Sequence, residues 1–330
     1  MAEQSIPSRR APTSTDVARL AGVSRSTVSF VLNGAPQTIP EVTRQAVFRA
    51  ARMLDYRPNL AAKSLAEGSS RVILLELPAA PYGAMTFRVM AELIAALAAR
   101  GYAASVHLDT STRHSLVATA LQLRPRAVLV NQPLGADDRQ RLVDAGIDTV
   151  VVPTEALRDL EMRGSQLRIG HLRDRGHRRI AIVERPIAEL DGAIVGRRQS
   201  VLATARDAGM DEPAVLSLTE LGVPAAAAVR RLWEDGITAI CAFNDDIGLA
   251  VLRAIADAGL RCPDDLAVIG ADNTFAGEVA FPPLTTTAPD AERVAEMIAP
   301  ATLAALGVEG GEESPAASDV AIELVVRGST

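Results

Sequence analysis

From Arg71 onward the sequence alternates short apolar segments with segments of helical periodicity, and this alternation limits the possible folds more than any other feature. Four segments typical of buried strands come first: RVILLEL, AASVHL, AVLVNQP and DTVVVP. The pattern resumes with RRIAIVE, AVLSLT, AICAFND and LAVIGAD. Strands that alternate with helices predict a parallel sheet with helices on both faces. The two units therefore predict an α/β body of two lobes, each built on a parallel, doubly wound sheet.

Polar residues near the predicted strand ends are candidates for a ligand site, because ligands of open parallel sheets lie beyond the carboxyl ends of the strands. Asn244 ends AICAFN, Asp272 ends LAVIGAD, and Arg197 belongs to GRRQS. An arginine fork, an amide and a carboxylate can together hold vicinal hydroxyls or a carboxylate. The alternative is that these side chains cap strand ends and form a surface ion pair. Asp245, at the start of the next helix, is predicted to be structural.

Aromatic residues supply further candidates for the ligand site. Tyr82 and Phe87 follow the first strand and can face a ligand from the other lobe, and Phe275 and Phe281 come after LAVIGAD. All four can equally belong to the core.

Near the amino terminus, the segment TSTDVARLAGVSRSTVSFVLNG predicts two short helices joined by a tight turn. Thr13 precedes Asp16 by three residues, which is typical of a capping box at a helix start. Gly22 suits the left-handed position after the first helix, Ser24 is a second N-cap, and the second helix runs to about Leu32, where Asn33-Gly34 stops it. The pattern indicates a helix-turn-helix, whose second helix enters the major groove of DNA. The alternative is an ordinary surface helical hairpin.

Apolar residues at helical spacing predict the small core of this segment, which a third helix from about Pro40 completes. The expected core residues are Val17, Ala18 and Leu20 on the first helix, Val28, Val31 and Leu32 on the second, and Val42, Ala46, Val47, Ala50 and Leu54 on the third.

Charge is unevenly distributed along the chain. Residues 1–71 hold ten basic and five acidic residues, a balance of +5. The net charge of the whole chain is −6, so the remaining residues carry a net charge of −11. A basic head on an acidic body is expected when the head meets a polyanion and the body does not.

Several classes of protein are disfavoured by the composition. No stretch reaches the roughly 18 apolar residues of a membrane span, and MAEQSIPSRRAPTS lacks the apolar core of a secretory signal. Cys241 and Cys262 are too few for a disulfide framework. The four histidines show no metal-ligand spacing with the cysteines, and no phosphate-binding glycine loop or catalytic set is present. We therefore expect no metal, no cofactor and no membrane partner, and a cytoplasmic protein.

Several separated motifs, in order along the chain, resemble the LacI/GalR family of transcriptional regulators. They are TDVARLAGVSRSTVSFVLNG, YRPNLAAKSLAEG, TAICAFNDDIGLAVLRAIADAGLRCPDDLAVIGADN, PPLTTT and ELVVRGST. The resemblance implies a helix-turn-helix head, a hinge helix, and a body like periplasmic sugar-binding proteins with a ligand between its lobes. The implied domains are 1–57 for the head, 58–68 for the hinge helix and 69–330 for the body, with an N-lobe at about 71–150 and 288–307 and a C-lobe at about 151–287 and 318–330.

The resemblance also implies how the head contacts DNA. Arg25, Ser26 and Ser29 match positions that read base edges, and an arginine can donate two hydrogen bonds to guanine. Phe30 stands where the family often has arginine, and it either contacts a thymine methyl or packs. The residues implied to hold phosphates, which set register rather than sequence, are Thr13, Thr15, Ser24, Thr27, Asn33 and Thr43.

The hinge segment is too short to form a stable helix alone, which fits folding on DNA against a dimer mate. Leu65 matches a leucine that wedges into the minor groove, and Ala62 matches a small residue that lets paired hinge helices approach. Without the resemblance, a flexible linker is the simpler interpretation.

The ligand site departs from the family pattern. Arg197 matches the family arginine that binds effector oxygens, but the chain between VVVP and HLRDRGHRRI is shorter than usual, and Pro153 stands where an acidic effector ligand is common. Ser200 and Val201 replace a common Gly-Phe, and Ala271 replaces a usual aromatic residue. The site is therefore altered or reduced.

These observations predict a nucleoid-associated repressor that binds a near-palindromic DNA operator as a homodimer. A small molecule between the lobes, a sugar or a related metabolite, is predicted to modulate it. The alternatives are an effector-independent regulator with a degenerate cleft and a sugar-binding transport protein. The basic head and the missing signal disfavour the transport protein, and the lack of a catalytic set disfavours an enzyme on the same frame.

Overall fold

The protein is described from a computed structural model that covers residues 12–33, 39–56, 70–78, 83–109, 115–152, 154–187, 191–307 and 315–330. The chain divides into two compact units, Met1–Ser70 and Arg71–Thr330, which we call the head and the body. The predicted hinge helix at 58–68, with Ala62 and Leu65, lies outside the described residues.

The head contains three helices: α1 (Ser14–Ala21), α2 (Arg25–Asn33) and α3 (Glu41–Met53). The predicted capping box is confirmed, because the Asp16 carboxylate accepts from the Thr13 backbone N–H at 2.9 Å and the Asp16 N–H donates to the Thr13 hydroxyl. Gly22 ends α1 with φ +67°, the left-handed conformation that glycine adopts without strain. The two helices of the predicted helix-turn-helix are therefore present.

The core of the head contains most of the predicted apolar residues. Its buried members are Val17, Ala18, Val28, Val31, Val47, Ala50 and Ala51. Two predictions are wrong, because Leu20 is 48% exposed and Val42 is 82% exposed. Leu20 lies outside the packed seam of α1, and Val42, five residues before Val47, points about 140° away from it around α3.

The first lobe of the body is a four-stranded parallel sheet with the order β2-β1-β3-β4. Its elements are β1 (Val72–Pro78), α4 (Ala84–Ala99), β2 (Ala103–Asp109), α5 (Leu116–Leu123), β3 (Ala127–Val130), α6 (Ala136–Asp144) and β4 (Asp148–Val151). Alternate residues face two separate cores, with Ile73 and Leu75 on one side of the sheet and Leu74 and Val128 on the other. Both faces are covered, which explains the continuous apolar strands.

The second lobe repeats this architecture with the strand order β6-β5-β7-β8. Its elements are β5 (Ile180–Glu184), α8 (Asp191–Asp207), β6 (Ala214–Ser217), α9 (Val223–Glu234), β7 (Ala239–Ala242), α10 (Asp245–Asp257), β8 (Ala267–Ile269) and α11 (Phe275–Glu278). Val183 and Val268 face one core, and Ile182 and Ile269 face the other. The predicted fold class, a two-lobed α/β body with two parallel doubly wound sheets, is confirmed.

Four further elements complete the body. They are α7 (Thr154–Asp174), an antiparallel pair of β9 (Thr286–Pro289) and β10 (Ile322–Val325), and α12 (Ala291–Ala305), which packs on α4 in the first lobe. The sequence-based boundary between the lobes lies at residue 151, yet Leu160 of α7 packs in the core of the first lobe and Ile169 in a core of the second. One continuous helix therefore belongs to both lobes.

None of the helices in the described ranges combines the length and apolar character needed to cross a membrane.

Candidate functional site

The first turn of α2 presents a cluster of exposed polar side chains. Ser24 caps the helix, since its Oγ accepts from the Thr27 N–H at 3.0 Å, and the same oxygen lies 2.7 Å from Ser26 Oγ and 2.8 Å from Thr27 Oγ1. Arg25 Nε donates to Ser14 Oγ at 3.2 Å, which links the start of α2 to α1. The cluster thus combines a guanidinium group with several hydroxyl groups at a helix N-terminus, where anions bind favourably.

The other residues predicted to contact DNA are distributed as follows. Ser29 and Thr15 are exposed, whereas Phe30, Thr13 and Thr43 are half-buried. The Thr13 hydroxyl is already engaged, because it donates to Asp16 Oδ2 at 2.7 Å. The side chain of Asn33 lies outside the described residues. Val28 and Val31, on the opposite face of α2, are buried, so the polar face is turned outward.

In the body, the three predicted ligand residues Arg197, Asn244 and Asp272 lie close together at the carboxyl edge of the second sheet. Arg197 Nη1 donates to the carbonyl of Phe243, the residue before Asn244, and its guanidinium lies 4.7 Å from the centre of the Phe243 ring. Burial acts to lower the pKa of Arg197, but the negative charges of Glu161 and Asp272 and the hydrogen bond to Glu161 together raise it. The expectation that ligand residues lie beyond the carboxyl ends of parallel strands thus located this cluster.

Asn244 and Asp272 both approach Gly83, which belongs to the other lobe. A Cβ on Gly83 would lie 2.2 Å from Asp272 Oδ2 and 3.3 Å from Asn244 Nδ2, so only glycine fits in this arrangement. Asn244 Oδ1 accepts from the Ile247 N–H at 3.0 Å, so part of the amide serves as the N-cap of α10. Arg88, one turn into α4, donates to the Asp272 carbonyl. The lobes therefore contact each other directly at this edge.

Asp272 has an unusual backbone and an unusual acidity. Its φ is +109°, rarely adopted by a residue with a side chain, and its N–H donates to the Thr287 carbonyl at 2.7 Å. Burial raises the pKa of Asp272 to about 6, with Arg197 acting in the opposite direction and Asp245 adding to the rise. Backbone strain and a raised pKa at one residue are typical of functional sites.

Two residues in the cluster were not predicted, Glu161 and Arg168 on α7. Glu161 Oε2 accepts from Arg197 Nε at 2.7 Å, and Oε1 accepts from Arg168 Nη2 at 2.8 Å and from Ser165 Oγ at 3.3 Å. Arg168 is buried, whereas Glu161 and Arg197 keep 21% and 22% of their side chains exposed. The signal in the sequence was their spacing of seven residues, which puts them on one face of a helix.

A second ion pair, also missed, lies at the end of β5. Arg198 Nη1 donates to Glu184 Oε1 at 2.5 Å. Glu184 is buried, and its Oε2 has no hydrogen-bond partner within the described part of the chain.

The structure assigns different surroundings to the remaining candidates. Asp245 has the structural role predicted from sequence, since its carboxylate accepts from Thr286 Oγ1 at 2.6 Å and from the Thr274 N–H at 2.7 Å. Phe87 is exposed, and Phe275 and Phe281 are 77% and 99% exposed, so the possibility that these three belong to the core is wrong. Tyr82 and Pro153 lie outside the described residues.

Ser200, Val201 and Ala271, which replace common family residues, are all buried. Ser200 Oγ donates to the Gly196 carbonyl at 3.1 Å within α8, and Val201 packs in a core of the second lobe. These three substitutions are therefore accommodated by packing.

Comparison with known protein families matches two parts of the chain. Residues 13–59 match the model for bacterial regulatory proteins of the lacI family, and residues 169–330 match the model for a periplasmic binding protein-like domain. The first match contains the exposed α2 cluster, and the second contains Arg197, Asn244 and Asp272.

Individual relatives cover most of the chain. The HTH-type transcriptional regulator CelR of Thermobifida fusca is 32% identical over 84% of this chain and 87% of the relative. The HTH-type transcriptional repressor PurR of Mannheimia succiniciproducens is 28% identical over 85% of this chain and 88% of the relative.

Solved structures show the same fold. A Lac repressor dimer bound to operator and the anti-inducer ONPF matches with a TM-score of 0.68, at 23% identity over 97% of this chain and 99% of that chain. A CelR–cellobiose complex matches with a TM-score of 0.60, at 26% identity over 97% of this chain and 100% of that chain.

Proposed function

Because this chain belongs to the LacI family of bacterial regulatory proteins, we propose that it is a repressor that binds a near-palindromic operator as a homodimer. It is a DNA-binding transcriptional regulator with a periplasmic-binding-protein-like body, and it is not an enzyme. The observation that carries the proposal is the exposed cluster on the first turn of α2, opposite the buried Val28 and Val31. A cytoplasmic, nucleoid-associated protein follows from this proposal.

We propose that Arg25, Ser26, Ser29 and Phe30 read bases, and that Ser24, Thr27 and the exposed Thr15 hold phosphates, together with Thr13, Asn33 and Thr43. The contact between Arg25 and Ser14 supports this role because it limits the orientations of the guanidinium group before DNA is bound. Ala62 and Leu65 remain the proposed minor-groove residues of the hinge.

Replacing Arg25 with alanine is expected to weaken discrimination between operator sequences, because a bidentate contact to guanine contributes about 1–3 kcal/mol against a wrong base. Binding measured by gel shift on a panel of single-base operator variants should lose its preference at one position in each half-site. Arg52→Ala removes an equal charge from the exposed face of α3, and it should weaken binding to all sequences alike. Equal sequence rankings for Arg25→Ala and the parent protein would contradict the proposed reading helix.

A homodimer is supported by an exposed apolar surface on the second lobe. Phe275 and Val279 are one helical turn apart and are 77% and 62% exposed, and Phe281 follows at 99%. Soluble monomers rarely leave such residues together in water, and a two-fold dimer buries the same surface of both copies. A second copy of the chain is the proposed occupant.

Phe281→Asp is expected to weaken the dimer at least about tenfold, because a single buried aromatic residue often contributes more than about 2 kcal/mol to an interface. Sedimentation equilibrium over a range of concentrations measures the change. Val143→Asp, at another exposed apolar site in the first lobe, provides the matched control. A parent chain that sediments as a monomer would contradict the homodimer.

Two candidates exist for the control of this regulator. The first is a small molecule between the lobes, a sugar or a related metabolite, and it is supported by the convergence of Arg197, Asn244 and Asp272 and by the CelR relative solved with cellobiose. Tyr82 and Phe87 remain proposed contacts from the other lobe. Such an effector shifts the equilibrium only by its difference in affinity for the open and closed lobes.

The second candidate is an effector-independent regulator, which is favoured by the ion pair between Glu161 and Arg197. A thermal-shift screen of the parent protein with sugars, nucleosides and organic acids separates the two candidates. Stabilisation by any compound supports the first, and the absence of stabilisation by all of them supports the second.

A further inference from the structure

The helix α7 places its central residues where the two lobes meet. Its first half packs in the core of the first lobe through Leu157 and Leu160, and its second half packs in the second lobe through Ile169 and Leu172. Glu161 follows Leu160 directly and is the first residue of the stretch of α7 between the two sets of core contacts. A ligand between the lobes therefore meets side chains of α7.

Both oxygens of the Glu161 carboxylate are bound by guanidinium groups. Arg197 Nε donates to Oε2 at 2.7 Å, and Arg168 Nη2 donates to Oε1 at 2.8 Å. Burial raises the pKa of Glu161, but Arg197 and then Arg168 outweigh it and hold the pKa below its usual value, so the group is ionised at neutral pH. The two arginines thus form a carboxylate site whose carboxylate the chain itself supplies.

The protein itself supplies a counter-charge to the two arginines of this site. Arg168 is buried, and its Nη1 has no hydrogen-bond partner in the described ranges, so it depends on Glu161 for compensation. A neutral polyhydroxy ligand that displaced Glu161 would leave two guanidinium groups without this counter-charge, which is unfavourable for buried ions. An anion with at least two acceptor oxygens, such as a carboxylate, is needed to reproduce both contacts.

We propose that Glu161 is a built-in ligand of Arg197, which takes the place of a separate effector and holds the lobes together without one. The inference rests on the proposed function, in which Arg197 is the arginine that contacts an effector. Direct contacts between the lobes agree with a closed cleft: Arg88 donates to the Asp272 carbonyl, and a Cβ on Gly192 would lie 3.3 Å from Gln132 Nε2.

The test is chemical rescue of Glu161→Ala in the full-length protein. Alanine keeps the Cβ and removes a methylene group with its carboxylate, which are together the size of acetate. We expect the variant to melt about 6–12 °C below the parent, because it leaves buried charge without a partner. Sodium acetate at about 0.1 M should restore at least half of this loss, whereas sodium chloride of equal ionic strength should not. Propionate, one carbon longer, should be less effective because the retained Cβ blocks it.

Glu161→Gln is the matched control, because it fills the same space without the charge. It should melt below the parent and show no response to acetate, and the parent should also show none. Fluorescence of Trp233, the only tryptophan, reports unfolding of the second lobe. If Glu161→Ala does not fold in chloride, the yield of folded protein after refolding in acetate gives the same comparison.

Three results would overturn the proposal: equal effects of acetate and chloride on Glu161→Ala, equal stabilisation of the parent by acetate, or a Glu161→Gln variant that melts with the parent. The assay contains no DNA, so these results leave operator binding untouched. Conversely, if the parent protein prefers no operator sequence, the proposed function is wrong. The rescue by acetate would then still describe the carboxylate site.

Discussion

Replacing Asp245 with alanine is expected to lower the free energy of unfolding of the body by about 3–5 kcal/mol. Asp245 is fully buried, and its carboxylate accepts from Thr286 Oγ1 at 2.6 Å and from the Thr274 N–H at 2.7 Å. Alanine leaves both donors without an acceptor, at about 1–3 kcal/mol each, and adds the unfavourable free energy of a cavity. Urea unfolding followed by the fluorescence of Trp233 measures the difference.

Two substitutions separate this effect from a general sensitivity of α10. Asp246→Ala removes the neighbouring, exposed carboxylate from the same first turn, and only a helix-dipole contribution of less than about 1 kcal/mol is lost. Asp245→Asn keeps one carbonyl oxygen for the Thr274 N–H, and the Thr286 hydroxyl can rotate to accept from the new amide. Burial raises the pKa of Asp245 against the opposing hydrogen bond from Thr286, so a neutral group suits the site. Equal losses for Asp245→Ala and Asp246→Ala would contradict the role of the network.

The fold was predictable because its strands and caps carry local signals. Strands β1, β3, β5 and β7 are continuous apolar runs, since each is covered on both faces. The capping box at Thr13 is likewise a local signal, because both of its residues, Thr13 and Asp16, lie within a segment of four residues. The first half of α7 was not predicted, because TEALRDLEMRG is largely polar and packs only where it crosses from one lobe to the other. The antiparallel β9–β10 pair joins segments that are far apart in sequence.

The candidate site was predictable only in part, because some of its contacts join residues that are far apart in sequence. Asn244 and Asp272 follow strands, so the topology of the sheet brings them together, and Arg197 joins them from α8. The carboxylate of Glu161 lies 36 residues before Arg197 and follows no strand, and nothing local pairs the two. The exposure of Phe281 was not predictable, because an aromatic residue has the same sequence signal whether it fills a core or lies on the surface.

Asp272→Asn is expected to stabilise the body at pH 8 by about 2–3 kcal/mol and to change little at pH 4. Burial raises the pKa of Asp272 to about 6, although Arg197 opposes the rise. In the unfolded chain this carboxyl ionises near its usual pKa of about 3.9. Between about pH 4 and pH 6 the native state therefore holds a proton that the unfolded state has lost, and the stability of the parent falls as the pH rises through this window. An asparagine resembles the protonated carboxyl and does not ionise.

The difference in unfolding free energy between the parent and Asp272→Asn, measured by urea at each pH from 4 to 8, isolates this group from all other titrating residues. Glu161 does not imitate it, because a carboxyl whose pKa lies below the usual value loses its stabilising contribution as the pH falls, which is the opposite direction. The difference should therefore rise between about pH 4 and pH 6 and level off above the pKa of about 6. A difference that is independent of pH would mean that folding does not shift the pKa of Asp272 and that water reaches its carboxylate beside Gly83. The tight approach of Gly83 argues against this, since the space where its Cβ would lie is taken by Asp272 Oδ2.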